Sequence, residues 1–141
     1  MTSCETMEST RTGEREVLSI TQYQRVTDAA LIMAENGVGS LIIVADDDDN
    51  TMVGILSERD ILRWIGHASP ETYFQKVQEI MTQDVISCEP GVPLTECWNL
   101  MMKHGIRHMP IVQNGAAVNM LSVRDMMEHL AGLASPKPAL T

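Results

Sequence analysis

Short apolar runs alternate with helical periodicities along the first half of the chain. Residues 17–20 form an apolar run next to polar residues, which is typical of a short strand. Apolar residues then recur every three or four positions over residues 25–36, as in a helix with one buried face. Two further apolar runs cover residues 40–45 and 52–56, and a second helical pattern begins just after Ser57. The pattern predicts the element order β-α-β-β-α.

The second half of the chain repeats this pattern. "VLSI" at residue 17 matches "VISC" 68 positions later, and the match in residue type holds as far as residue 44. Beyond it the offset is 65, because "ADDDDNTM" (45–52) is three residues longer than "QNGAA" (113–117). Length differences of this kind occur in loops, so the run of aspartates is predicted to be a turn. The matched elements are a strand at 85–88, a helix at 93–104, strands at 108–113 and 117–121, and a helix beginning just after Ser122.

Glycine and proline mark the predicted helix boundaries. Pro93 suits a first helical position, and Gly37 and Gly105 suit the left-handed residue that ends a helix. One repeat is too small to bury both faces of its sheet and both helices alone. We therefore expect a mixed α/β (α+β) fold in which tandem β-α-β-β-α repeats pack sheet to sheet about a pseudo-twofold axis.

The repeats predict the organisation of the whole chain. Between them, Pro70 is expected to begin a short helix that packs through Tyr73, Phe74 and Val77. The predicted segments are an N-terminal tail at 1–14, a first repeat at 15–65, a linker at 66–78, a second repeat at 79–132 and a C-terminal tail at 133–141.

Composition excludes several classes of function. The formal charge of -9 would repel a phosphate backbone, so nucleic-acid binding is not expected. Three cysteines without a CxxC or Cys/His spacing indicate neither a disulfide framework nor a zinc site, which favours a reducing, cytoplasmic location. No apolar stretch approaches the length of a membrane span. The run "DDDDN" (46–50) lacks the spacing of a calcium-binding loop and is expected to be solvated, so no metal site is predicted.

Two octets, "ILSERDIL" (55–62) and "MLSVRDMM" (120–127), occupy equivalent helix starts. A serine followed three residues later by an aspartate is good helix capping, and capping alone is the alternative explanation. It does not explain Arg59 and Arg124, because a cation in the first turn faces the positive end of the helix dipole. A hydroxyl, a guanidinium and backbone N–H groups can hold a phosphate, and a neighbouring carboxylate can accept hydrogen bonds from both ribose hydroxyls. The octets therefore predict one nucleoside phosphate for each repeat.

The repeated unit resembles the CBS domain pair, or Bateman module. The likeness covers about residues 15–132, and "EIMTQDVIS" (79–87), "GIRHMPIV" (105–112) and the first repeat's "GILS" followed by Asp60 carry it. The resemblance implies a stand-alone regulatory sensor with two clefts for AMP, ADP, ATP or S-adenosylmethionine. It also implies a regulated partner, such as an enzyme or a transporter.

The resemblance assigns roles to particular residues. Asp60 and Asp125 would bind ribose, and the serines and arginines of the octets would face phosphate. Arg107 and His108 would lie near the middle of the module and reach phosphate, while Ser19 and Ser87 would line the cleft beneath the base. The full set of expected ligand-binding residues is Ser57, Arg59, Asp60, Arg107, His108, Ser122, Arg124, Asp125, Ser19, Ile20, Ser40, Ser87 and Cys88.

The two repeats differ where the ligand is expected. Gly39 and Ser40 replace the Arg107–His108 pair in the first repeat, so its own strand brings no cation. Asn119 stands where the first repeat has Gly54, which would make the Asp125 cleft narrower or leave it empty. We therefore rank the Asp60 cleft first, with Arg107 and His108 crossing to it from the other repeat.

The competing interpretation is a ligand-free dimerisation or protein-interaction module. No signature of a hydrolase, metalloprotease or cysteine enzyme occurs, so catalysis and a catalytic cofactor are not expected. The helices that end the repeats carry more apolar residues than one buried stripe needs, and a homodimer suits both hypotheses. These residues are Ile61, Leu62, Trp64, Ile65, Met126, Met127 and Leu130.

Overall fold

The computed structural model describes residues 17–134, which contain two copies of one arrangement of strands and helices. The first copy consists of β1 (Ser19–Thr21), α1 (Val26–Asn36), β2 (Ser40–Asp46), β3 (Asp49–Ser57) and α2 (Glu58–Gly66). Two 3₁₀ turns follow, at Pro70–Thr72 and Val77–Glu79. The second copy consists of α3 (Leu94–His104), β4 (His108–Gln113), β5 (Ala116–Ser122) and α4 (Val123–Ala134). The mixed α/β class and the repetition are confirmed.

The described residues form two compact units. The first unit contains residues 17–85 and the turn at 114–117, and the second contains residues 86–113 and those from 118 onward. In the first unit, β1 lies parallel to β2 and β2 lies antiparallel to β3. In the second unit, the sheet pairs β4 with β5. The packing of the sheets about a pseudo-twofold axis stays a prediction.

The two hydrophobic cores are built from equivalent positions. Helices and strands of each unit contribute side chains at offsets of 68 before the aspartate run and 65 after it. Each Val, Leu, Ile or Met among them stabilises its unit by about 1.5–3 kcal/mol when fully buried, so the repeated apolar pattern corresponds to two equivalent cores. The equivalent pairs are Ile20 and Cys88, Val26 and Leu94, Ala29 and Cys97, Met33 and Met101, Leu41 and Met109, Ile43 and Ile111, Leu56 and Leu121, and Ile61 and Met126.

The predicted helix ends and the predicted turn are confirmed. Gly37 and Gly105 both have φ = 61°, which a glycine adopts without a clash of its side chain with the backbone. α3 begins one residue later than predicted, so Pro93 lies at its N-cap and not at its first helical position. The aspartate run is a hairpin turn that is tighter than expected, because β2 continues to Asp46 and β3 begins at Asp49.

The prediction of a strand at 85–88 is wrong. Only Cys88 bridges to β4, through its N–H to the Pro110 carbonyl (3.2 Å) and its carbonyl to the Val112 N–H (2.8 Å). In the first unit, the Ile42 N–H donates to the Leu18 carbonyl at 3.1 Å. Pro110 stands at the position equivalent to Ile42 and has no N–H, so the second copy lacks this bond and its strand is reduced to one bridge. The first strand is also shifted, since it covers Ser19–Thr21 and not residues 17–20.

The linker helix is shorter than predicted. Pro70 begins a 3₁₀ turn of three residues, and of the three expected packing residues only Val77 is buried. Phe74 is 60% exposed and Tyr73 is similarly exposed. Their rings contact each other edge to face with centroids 5.0 Å apart, and the Arg25 guanidinium lies 4.7 Å from the Phe74 ring centroid. Local aromatic and cation–π contacts therefore replace the expected burial.

Candidate functional site

The start of α2 is a complete capping box. The Asp60 N–H donates to Ser57 Oγ (3.3 Å), and Asp60 Oδ2 accepts from the Ser57 N–H (2.9 Å) and from the Ser57 hydroxyl (3.1 Å). The Asp60 side chain is only 10% exposed, and its other oxygen, Oδ1, lies 3.9 Å from the exposed Arg63 guanidinium. Capping therefore engages one carboxylate oxygen of Asp60 and leaves Oδ1 with this long contact.

The start of α4 has the same hydroxyl cap. The Asp125 N–H donates to Ser122 Oγ at 2.9 Å, and Asp125 is 9% exposed. Burying a carboxylate to this degree is costly unless it has hydrogen-bonding partners. Both aspartates thus lie recessed at the beginning of a helix, and neither lies on the exposed surface.

The residue just before β2 or β4 supports the helix start of the same repeat. The Glu58 N–H donates to the Gly39 carbonyl (3.0 Å), and the Val123 N–H donates to the Arg107 carbonyl (2.9 Å). The backbone of Arg107 therefore lies against the helix that carries Asp125, within its own repeat. The predicted crossing of Arg107 and His108 to the Asp60 cleft stays a prediction.

The strand register places several predicted residues on one face of the first sheet. Ser40 is the Cα partner of Ser57, and Ser19 is the partner of Ile42. Residues 40 and 42 alternate with Leu41, which packs in the core beneath the helices, so these serines share the face opposite the helices. Ile20 is the exception, because it lies in that core and contributes no exposed surface to a cleft.

The second repeat offers a different lining at the equivalent place. Ser87 is half-buried, and Cys88 is buried beside Ile111. Burial raises the pKa of the Cys88 thiol to about 11, so the thiol is neutral near pH 7. Its Sγ lies 3.3 Å from Cys97 Sγ. A buried neutral thiol acts as an apolar contact and is a poor nucleophile.

The predicted cations differ in how they are engaged. Arg124 Nε lies 3.4 Å from Glu128 Oε1, one helical turn along α4, and its side chain is 88% exposed. Arg124 thus forms an ordinary surface ion pair, which weakens its assignment to phosphate. Within residues 17–134, Arg59 and Arg107 are exposed and form no ion pair. They are the better candidates to meet an anion.

Gly54 has a role inside the protein that the sequence did not indicate. A Cβ on Gly54 would lie 2.6 Å from Met81 Sδ and 2.9 Å from the Thr82 carbonyl oxygen. Thr82 pairs with Ile55 through two backbone hydrogen bonds of 2.9 and 3.0 Å. The absence of a side chain at Gly54 thus lets residues 81 and 82 pack against β3, and this role does not depend on a ligand. Asn119 at the equivalent position of the second repeat therefore does not by itself indicate a narrow Asp125 cleft.

From residue 17 to residue 134, no group of three or more His, Cys, Asp or Glu side chains is arranged to hold a metal ion. In the same part of the chain, no helix has the length and apolar character that crossing a membrane requires.

A family model for the CBS domain matches the chain twice, over residues 14–67 and 77–132. The chain belongs to the CBS domain family. The chain is 34% identical over 106 residues to an uncharacterised 17.7 kDa protein of Acidianus ambivalens, which is 74% of this chain and 62% of that protein. This CBS pair thus spans less than two thirds of that relative's length.

Solved structures share the fold of this CBS pair. A protein with CBS domains from Burkholderia ambifaria superposes with a TM-score of 0.82 at 29% identity, covering 99% of this chain and 100% of that one. The CBS pair of protein MJ0100, crystallised with 5′-methylthioadenosine and S-adenosyl-L-methionine, has a TM-score of 0.75 at 22% identity and covers 84% of this chain and 91% of that one. At that identity, the likeness to MJ0100 shows the fold alone.

Proposed function

We propose that this CBS pair is a regulatory sensor that binds AMP, ADP, ATP or another adenosyl ligand and modulates a partner protein. The observation that carries the proposal is the repeated helix start, in which a serine cap holds a recessed aspartate next to an exposed arginine. The MJ0100 crystals support it to the extent that this fold holds adenosyl compounds in that protein. A regulated enzyme or transporter, a catalytically inactive module and a cytoplasmic location belong to the same proposal.

The aspartates suit ribose. Ribose offers two adjacent hydroxyl donors, and a carboxylate accepts both through its two oxygens. In the first repeat, Asp60 Oδ1 has only the 3.9 Å contact with exposed Arg63, which a ligand hydroxyl can displace at little cost. We assign Asp60 and Asp125 the same role in their own repeats, with Ser19, Ser40 and Ser87 near the base.

At each helix start, few backbone N–H groups are free to bind a phosphate. The N–H groups of Ser57, Glu58 and Asp60 are all bonded within the protein, so Arg59 supplies the remaining first-turn N–H. A phosphate must therefore rely on side-chain cations. The second repeat adds Arg107 and His108 beside its helix start, whereas the first has Gly39 and Ser40. We propose that phosphate binds beside Ser122 and Arg107, and this choice replaces the ranking of the Asp60 cleft as first.

Isothermal titration with AMP and 5′-methylthioadenosine tests the proposal, because both contain adenine and ribose but only AMP has a phosphate. We expect Arg107→Ala to weaken AMP binding at least tenfold, or about 1.4 kcal/mol, and to change methylthioadenosine binding less than twofold. Lys76→Ala removes an exposed cation that belongs to neither helix start and is the matched control. Equal losses for both ligands would refute the phosphate role of Arg107.

The aspartate role has its own test. Asp125→Asn and Asp60→Asn keep the shape of the side chain and are expected to weaken both ligands alike. Thermal shift provides the broader screen, since a ligand at 100 times its Kd stabilises the fold by about 2.7 kcal/mol. Failure of AMP, ADP, ATP, methylthioadenosine and S-adenosylmethionine to bind would overturn the sensor proposal. That result would favour a ligand-free dimerisation module, which the exposed Leu62, Ile65 and Met127 support.

A further inference from the structure

The chain contains two Asn–Gly dipeptides, Asn36–Gly37 and Asn114–Gly115. In such a pair the backbone nitrogen of the glycine can attack the side-chain amide of the asparagine, because glycine has no Cβ to hinder the approach. All four residues are exposed. The two dipeptides nevertheless lie in different local structures, so their reactivities should differ.

Both reacting groups of the first dipeptide are engaged at the end of α1. The Asn36 side-chain amide donates from Nδ2 to the Ile32 carbonyl at 2.8 Å. The Gly37 N–H donates to the Met33 and Ala34 carbonyls and closes the helix. Each hydrogen bond of this kind contributes about 0.5–1.5 kcal/mol. Attack by the Gly37 nitrogen therefore requires the last turn of α1 to unwind.

The second dipeptide forms the turn between β4 and β5. Asn114 has φ = 53° and Gly115 has φ = 81°, as in a two-residue hairpin turn. Asn114 is the one non-glycine residue between 17 and 134 with a positive φ. No hydrogen bond in that part of the chain engages its side chain or the Gly115 N–H. A local opening of this exposed turn is therefore enough to bring the two groups together.

The Gly115 carbonyl, in contrast, holds the turn against β3. It accepts the Met52 N–H at 2.8 Å, and a Cβ on Gly115 would lie 3.8 Å from Thr51 Cγ2. Residues 114–117 belong to the first unit together with β3. A change in the length of the main chain within the dipeptide would therefore displace the carbonyl that Met52 binds.

We infer that Asn114 is a site of spontaneous deamidation and that its isoaspartate product releases the turn from β3. The Gly115 nitrogen loses its proton to a base in solution and forms a bond to Asn114 Cγ, while the Cγ–Nδ2 bond breaks and ammonia leaves. Water then opens the resulting succinimide ring. Opening at the main-chain carbonyl gives isoaspartate, and opening at Cγ gives aspartate. The net reaction consumes water and releases ammonia, and it needs neither an oxidant nor a reductant.

Isoaspartate changes the geometry of the turn more than aspartate does. Its peptide bond runs through Cγ, which adds a methylene group to the main chain between residues 114 and 115. The Gly115 carbonyl then moves relative to the Met52 N–H, and their hydrogen bond weakens steeply with distance and angle. Aspartate keeps the length of the main chain and tolerates a positive φ, so it should leave this bond in place.

Incubation of the full chain at mildly alkaline pH, followed by tryptic digestion and mass spectrometry, measures the reaction. Trypsin places Asn36 and Asn114 in separate peptides, residues 26–59 and 108–124. We expect Asn114 to deamidate at least tenfold faster than Asn36 in the folded protein, a barrier difference of about 1.4 kcal/mol. In urea, where neither local structure persists, the two rates should become similar. A folded protein in which Asn36 reacts as fast as Asn114, or in which both are inert, would overturn the inference.

Hydrogen exchange at the Met52 amide tests the structural consequence. The isoaspartate form, separated by chromatography, should exchange this amide at least tenfold faster than fresh protein does. A freshly purified Asn114→Asp variant carries the charge of the product without the extra methylene group and should match fresh protein. Asn114→Gln should not react, because ring closure through the longer side chain is slow, and it is the control for the incubation. Unchanged exchange in the isoaspartate form, or the same acceleration in Asn114→Asp, would refute the proposed release.

Discussion

Gly54→Ala is expected to destabilise the first unit far more than a surface glycine substitution does. The new methyl group would overlap Met81 Sδ at 2.6 Å and the Thr82 carbonyl oxygen at 2.9 Å. Met81 can move, but the Thr82 carbonyl accepts the Ile55 N–H and belongs to a pair of backbone hydrogen bonds. Overpacking costs about 1–3 kcal/mol, and each lost hydrogen bond costs about 1 kcal/mol. We expect the free energy of unfolding to fall by about 2–3 kcal/mol.

Urea denaturation followed by circular dichroism measures this change. Gly66→Ala is the matched control, because its Cβ meets no atom within 4 Å and it lies in the last turn of α2. That substitution should be neutral or should stabilise by up to about 1 kcal/mol. Adding Met81→Ala to Gly54→Ala should recover only part of the loss, since the backbone contact remains. A loss below about 0.5 kcal/mol for Gly54→Ala would show that residues 81 and 82 do not pack against β3 as described.

Three further predictions concern the helix starts and the buried thiol. Ser57→Ala should cost about 1 kcal/mol of unfolding free energy in urea titrations, because it removes the cap and one donor to Asp60; an unchanged value would exclude this cap as a stabilising feature. Arg124→Ala should cost at most about 0.5 kcal/mol, and the loss should vanish in 1 M salt, since the pair with Glu128 is exposed; a larger, salt-independent loss would contradict a surface ion pair. Burial raises the Cys88 pKa from 9.0 to about 11, so this thiol should resist alkylation at pH 8. The free energy of unfolding should also decline between pH 9 and 11, because only the unfolded chain releases the thiol proton in that range. A Cys88→Ala variant with the same decline would exclude this cause.

The sequence predicted the features that both repeats share, because each was observed twice. Helical spacing at Val26, Ala29 and Met33 agreed with spacing at the equivalent positions of the second half, and all of these residues lie in the cores. Gly37 and Gly105 likewise end their helices in the left-handed conformation. Because the chain is duplicated, each pattern occurs twice, and two agreeing occurrences support a prediction that a single weak pattern would not.

The incorrect predictions have physical causes that the local sequence pattern does not contain. Residues 85–88 have the composition of a strand, but Pro110 on the neighbouring strand removes the donor that would extend the ladder. Pro110 in place of Ile42 is visible in the sequence, but its effect on residues 85–88 follows only once the two segments are known to be neighbours. Contacts between distant segments gave no comparable signal. Gly54 with residues 81 and 82, and Arg107 with the start of α4, are brought together only by folding.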